Sequence, residues 1–187
     1  MGDATAYTRE RLLSARVGLL VVLVTGLSLI AAPTQDAVEL VGRAALIALL
    51  VSHLRLWDDL EDLPYDRFHH PSRVLPNLAR SEPLWLTLGV AILLSACLVA
   101  LVGGIAWLAL YVGLMAFLLL VYRGSRRLMA NRSLRVQLVL LKYPVLLVLS
   151  VPTPGLLRTL GASFLAYTLL SAHEWLDDHT LRRMRRP

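Results

Sequence analysis

The sequence predicts an all-α fold: a polytopic transmembrane helical bundle of about six spans, forming one domain over residues 1–187. Three observations carry this. Hydrophobic residues make up 57% of the chain and charged residues only 17%, with a mean hydropathy of +0.63, which leaves no soluble domain of useful size. Six apolar segments, at 17–32, 37–57, 84–102, 105–122, 134–151 and 156–172, come near the roughly 20 residues that a spanning helix needs. Finally, the arginines collect on alternate connections, as in a chain that crosses a bilayer back and forth.

Taken in order, the first span follows Arg9, Arg11 and Arg16. It is not read as a cleavable signal, because no small-x-small site with a mature domain follows it and further spans do. The turn Pro33-Thr34-Gln35-Asp36 leads to the second span, where Glu39 and Arg43 stand four apart and pair near the outer face as a structural element. Gly103-Gly104 and Pro152-Thr153-Pro154-Gly155 are short breaker connections, so the helices on either side form antiparallel hairpins. The two long connections, 58–83 and 123–133, carry Arg67, Arg73 and Arg80, and Arg123, Arg126, Arg127 and Arg132. Arg182, Arg183, Arg185 and Arg186 follow the sixth span. By the positive-inside rule both termini and both long connections face the cytoplasm, in a cytoplasmic membrane of bacterial type.

The net charge of +6, from eighteen arginines and one lysine, reads as topology and anionic-lipid contact, not as nucleic-acid binding. Arg158 is expected to snorkel to the interface. The lone Cys97 excludes an internal disulfide and is expected to pack in the core. Trp57, Trp85, Trp107 and Trp175 fall near span ends, where such rings sit at the membrane interface. No internal repeat or low-complexity tract is present.

The stretch from Leu56 to Asn77 carries the candidate chemistry. Asp58, Asp59, Glu61, Asp62 and Asp66 place five carboxylates in nine positions. In the spacing Asp59-x-x-Asp62-x-x-x-Asp66, offsets of three and seven keep the carboxylates on one helical face. Such oxygens suit Mg²⁺, which is held by a few carboxylates together with substrate phosphates. Pro64 predicts that the helix ends there and that Asp66 reaches in from a loop. An acidic segment after a span is also what an ordinary solvated loop looks like. Asp58-Asp59-Leu60-Glu61-Asp62 further matches the DDxxD pattern of soluble prenyl diphosphate synthases.

The longer string Asp58, Asp59, Asp62, Asp66, Arg67, Pro71 and Arg73 resembles, in register, the first signature of the UbiA superfamily of intramembrane prenyltransferases, with Asp58 in the place of an Asn. A second cluster, Glu174, Asp177 and Asp178, stands at i, i+3 and i+4 where the family has its second acidic signature, although His179-Thr180-Leu181-Arg182 replaces its further aspartates. Leu141-Lys142-Tyr143-Pro144 is similar to a Leu-Lys-x-x-Pro region of the family's fifth helix, with the proline one position closer. Tyr122 occupies roughly the place of a family tyrosine. Lys142, the only lysine, falls about seven residues into the fifth span, where an ammonium either snorkels or faces a polar partner. His69 and His70, with no third histidine or cysteine suitably spaced, read as loop residues beside the phosphate site.

The resemblance implies an enzyme that ionises a prenyl diphosphate and transfers the prenyl group to an acceptor, an aromatic one in the family's manner. Asp59, Asp62 and Asp66 would hold Mg²⁺ on one side, with Glu174, Asp177 and Asp178 opposite. Arg67, Arg73, Lys142 and Asp58 would contact the substrate, and Asp59, Asp62, Lys142 and Tyr122 would act in catalysis. An intramembrane terpene cyclase needs the same ionising groups, and a non-catalytic membrane subunit could keep the same half of the fold. The family has nine helices and six are represented here, so a second copy or a separate membrane protein is expected to close the open flank.

Overall fold

A computed structural model describes residues 7, 11, 14–69, 75, 81–128, 132–151 and 155–184; at 69, 125–128, 132–135, 156, 174 and 177–184 it describes the backbone alone. The described residues form helices without a strand: α1 (Ala15–Ala31), α2 (Ala37–His69), α3 (Glu82–Leu128), α4 (Arg132–Leu140), α5 (Lys142–Leu149) and α6 (Leu156–Met184).

The helix termini follow from local chemistry. Ser14 caps α1, its hydroxyl accepting from the Val17 N–H at 3.4 Å. Asp36 does the same for α2, accepting from the Val38 N–H at 2.9 Å. Arg43, buried on α2, donates to the carbonyls of Ser28 (3.1 Å) and Ala32 (2.6 Å) and pairs with Glu39, so the expected Glu39–Arg43 pair also satisfies the end of α1. Thr34 donates to the other Glu39 oxygen at 2.7 Å.

Helix α3 runs on through the glycine pair, but not straight. Gly104 has φ 69° and ψ −160°, a conformation open essentially to glycine alone, and a Cβ at Gly103 would lie 2.1 Å from the Trp107 ring. The chain doubles back there. Tyr111 donates to the Ile92 carbonyl at 3.3 Å, a contact that a straight helix would spread over about 28 Å. The predicted hairpin is therefore present within one continuous element.

Two expectations about prolines are corrected. Helix α2 does not stop at Pro64 but continues to His69, so Asp66 lies on the helix and not on a loop. A proline inside a helix removes one N–H and crowds the carbonyl four residues back; here the buried face of Leu60, Leu63 and Asp66 packs on across it. The fifth span, predicted as one helix, is instead broken between α4 and α5 at Leu141, whose N–H turns to the Leu138 carbonyl at 3.3 Å. Pro144 accounts for the break, since it cannot donate to Leu140 and its ring crowds that carbonyl.

Helix α5 touches every other helix. Its Leu146 and Leu149 are fully buried in a core that includes Leu46, Ile47, Leu50, Leu54 and Leu118, and its Leu147 in a second one with Leu27, Ala31, Ala162 and Ala166. The outer faces are strongly apolar, with Leu86, Leu93, Leu101, Ile105 and Leu120 exposed along α3 and Leu157 and Phe164 along α6. Residues Ala37–Phe68 and Glu82–Gly124 are each long and apolar enough to cross a membrane. Cys97 is exposed, not packed as expected, because two positions from buried Ser95 and Val99 it turns to the opposite side of α3.

Candidate functional site

One end of the bundle gathers the charged residues that the sequence singles out. Asp58 lies on α2, Tyr122 near the end of α3 and Lys142 at the start of α5. The Tyr122 hydroxyl donates to one Asp58 oxygen and the Lys142 ammonium to the other. Residues 64 and 84 positions away thus converge on a single carboxylate. Lys142 is 1% exposed because α5 is the hub of the bundle. A lysine in the first turn opposes the helix macrodipole, and Leu141 provides no side-chain cap, so local propensity does not favour this placement. The Asp58 carboxylate compensates it. Lys142 also lies 5.3 Å from the centre of the Tyr143 ring.

Asp59 turns into a different setting. It is 5% exposed and accepts from the Tyr7 hydroxyl at 3.0 Å, from Arg11 Nε at 3.2 Å and from Arg11 Nη2 at 2.8 Å. Arg55, one turn earlier on α2, adds a contact at 3.4 Å. Burial, and after it the neighbouring Asp59 charge, pushes the Tyr7 phenol well above its ordinary range, so it remains a donor. Burial opposes the Arg11 charge, but the Asp59 hydrogen bond and charge outweigh it and hold the guanidinium above its usual value.

Asp66 is buried on the same helix face, two turns or about 10 Å along the axis from Asp59. Asp62 is exposed, whereas Asp59 and Asp66 are buried. Glu61 accepts from Trp57 Nε1 at 3.3 Å. Trp57 is buried and stacks obliquely on Tyr122, ring centres 5.5 Å apart; it is a wall of the site and not the interfacial anchor that its position suggests. Arg67 is exposed. Arg73 and His70 lie outside the described residues. His69, Glu174, Asp177 and Asp178 are placed on their helices by backbone alone.

Tyr7, Arg11 and Arg55 are the contributors that sequence reasoning missed. From sequence Arg11 reads only as a topology charge, whereas Arg55 has a signal, since it stands four residues before Asp59 on α2. Deeper in the bundle, His53 Nδ1 lies 3.1 Å from the Leu49 carbonyl and 3.2 Å from Ser95 Oγ, and its Nε2 lies 3.3 Å from the Tyr111 hydroxyl. The buried trio of His53, Ser95 and Tyr111 ties α2 to both legs of α3.

Beside the charged end, an apolar hollow of about 310 Å³ is lined by Ala109, Leu110, Gly113, Leu114, Phe117 and Val145. It begins five residues before Tyr122 on α3 and three after Lys142 on α5. Ala109, Leu110 and Gly113 are exposed, so it is a groove open to the outside.

Among the described residues no group of three or more His, Cys, Asp or Glu side chains is gathered as metal ligands. Mg²⁺ needs no such group: one or two carboxylates with substrate phosphates complete its shell. The hard oxygens of Asp59, Asp62 and Asp66 fit it chemically, and Arg11 and Arg55 already contact the first. Comparison with known proteins finds no matching family model, no matching curated protein and no matching solved structure. The likeness to the UbiA superfamily therefore rests on the motif residues themselves.

Proposed function

We propose that this chain is an intramembrane prenyltransferase that binds a prenyl diphosphate with Mg²⁺ at the charged end of the bundle and transfers the prenyl group to an acceptor, aromatic by family likeness. The observation that carries the reading is the convergence of Asp58, Tyr122 and Lys142 from three helices. Each is a candidate site residue from sequence, and nothing about chain proximity brings them together. In this reading the chain spans the membrane six times with both termini cytoplasmic. Glu39 and Asp58, at opposite ends of the apolar part of α2, stand about 28 Å apart along the axis, close to the roughly 30 Å of a hydrocarbon core.

Asp59, Asp62 and Asp66 would hold the metal on α2, with Glu174, Asp177 and Asp178 of α6 opposite. Bound Mg²⁺ supplies charge neutralisation to the departing diphosphate. The chain's own residues do the rest. Lys142 and Arg67, with Arg73, orient phosphate oxygens, and Tyr122 donates a hydrogen bond beside Lys142. The allylic carbon–oxygen bond breaks with its electron pair leaving on the diphosphate, the acceptor's electrons close on the cation, and the acceptor's displaced proton passes to the released diphosphate. The apolar groove along α3 and α5 suits the tail, and Trp57 shields the head from water. The open flank of the bundle is closed by a second copy or by a separate membrane protein, which size determination in nanodiscs would show as a mass above one chain.

One observation favours a second reading, a non-catalytic membrane subunit: the carboxylates of Asp58 and Asp59 are already engaged by the chain's own cations. Incubation of purified protein with labelled prenyl diphosphates of several lengths and Mg²⁺, with and without aromatic acceptors, separates the cases. A prenylated acceptor is the expected product. A cyclised product without acceptor would indicate a terpene cyclase, and no consumption at any length would leave the non-catalytic subunit.

A further inference from the structure

We propose that Arg11 is a diphosphate-binding residue and that the site takes up metal and diphosphate together, by exchange of ion pairs. The inference rests on the reading of this site as one for Mg²⁺ and diphosphate. Two carboxylates, Asp58 and Asp59, here face three cations, Lys142, Arg11 and Arg55. A metal ion arriving alone at Asp59 must displace Arg11 and leave that guanidinium without its carboxylate partner. A diphosphate arriving alone draws Arg11 and Lys142 away and leaves two carboxylates, one of them 5% exposed, beside a new anion. Both steps strand buried charge. Together they do not, because the metal takes the carboxylate oxygens and the phosphate oxygens take the released cations. Each ligand should therefore raise the affinity for the other by the same factor.

Arg11 is built for such an exchange. Its planar fork binds Asp59 through two nitrogens and matches phosphate oxygens equally well. Its backbone is also fixed. The Ser14 hydroxyl that caps α1 donates to the Arg11 carbonyl at 3.0 Å, so the guanidinium is anchored on the start of a helix. Tyr7 adds a neutral donor to the same carboxylate, which supports Asp59 without offering a charge to phosphate.

The test is calorimetry on the full chain in nanodiscs of zwitterionic lipid, titrating Mg²⁺ alone, inorganic diphosphate alone and the two together; a parallel set in anionic lipid detects competition from headgroup phosphates. Wild-type protein is expected to bind the pair at least tenfold more tightly than either alone. Arg11→Gln should strengthen Mg²⁺ binding alone and weaken binding of the pair, each by about tenfold, the size of one charge-assisted hydrogen bond. Tyr7→Phe should shift only Mg²⁺ alone. If Arg11→Gln does not fold, Arg11→Lys carries the test: it keeps the charge but loses the fork, and pair binding should fall several-fold with Mg²⁺ alone unchanged. Pair binding by wild type that Arg11 variants leave intact, or that shifts in the same direction as Mg²⁺ alone, overturns the role of Arg11 and spares the site. Headgroup competition with no response to diphosphate makes Arg11 a lipid contact. No binding of the pair to wild type overturns both the inference and the reading beneath it.

Discussion

Lys142→Met tests whether the Asp58–Lys142 pair is what ties α5 to α2 at the charged end. Methionine is close to lysine in size, so the packing around α5 is largely kept and the charge alone is removed. Breaking a buried ion pair by removing one partner costs about 3–5 kcal/mol. The lower end applies here, because the Asp58 side chain is 16% exposed and keeps its hydrogen bond from Tyr122. For a chain of this size about 1 kcal/mol moves Tm by roughly 2–4 °C, so about 3 kcal/mol lowers it by roughly 6–12 °C. Adding Asp58→Asn to Lys142→Met removes the stranded charge and should recover most of the loss, since neutral groups of similar shape often replace a buried pair at little cost. Thermal unfolding in detergent, followed by circular dichroism across the double-mutant cycle, reads the coupling directly. If the double variant loses the sum of the two single losses, the residues are not coupled and the convergence that supports the functional reading is energetically empty.

Gly104→Ala should destabilise the fold by about 1–3 kcal/mol in the same melting assay, because alanine is strained at φ 69°, ψ −160° where the α3 hairpin turns. Asp59→Asn and Asp62→Asn should abolish diphosphate release while leaving the helical content unchanged, whereas Glu61→Gln, whose carboxylate faces Trp57, should reduce it only modestly. In a Cys97→Ala background, Gln35→Cys should label with a membrane-impermeant thiol reagent from outside the cell and Ser125→Cys only from inside; the reverse pattern would place the charged end on the wrong side of the membrane.

Much of the arrangement was legible because hydropathy and breakers act locally. The Gly103-Gly104 turn and the Pro33–Asp36 connection needed only the nearest residues to be read. Prolines were harder, for Pro64 and Pro144 present the same local penalty with opposite outcomes. Packing of Leu60, Leu63 and Asp66 carries α2 across Pro64, while the helix breaks before Pro144, and the difference lies in tertiary contacts that no window of sequence contains. The same holds within the site. Spacing put Asp59, Asp62 and Asp66 on one face, but which of them turn inward depends on the neighbours of α2. Tyr7 and Arg11 lie 52 and 48 residues from Asp59, so their roles had no signature in the chain. Asp58 likewise meets Lys142 from 84 residues away.

The central claim is that the charged end ionises a prenyl diphosphate, and the most direct measurement is release of inorganic diphosphate from a prenyl diphosphate by the purified chain in nanodiscs. The account predicts release that requires Mg²⁺, stops on chelation, returns when Mg²⁺ is restored, and is lost in Asp59→Asn. Release that continues in the presence of chelator, or that Asp59→Asn leaves unchanged, would contradict it.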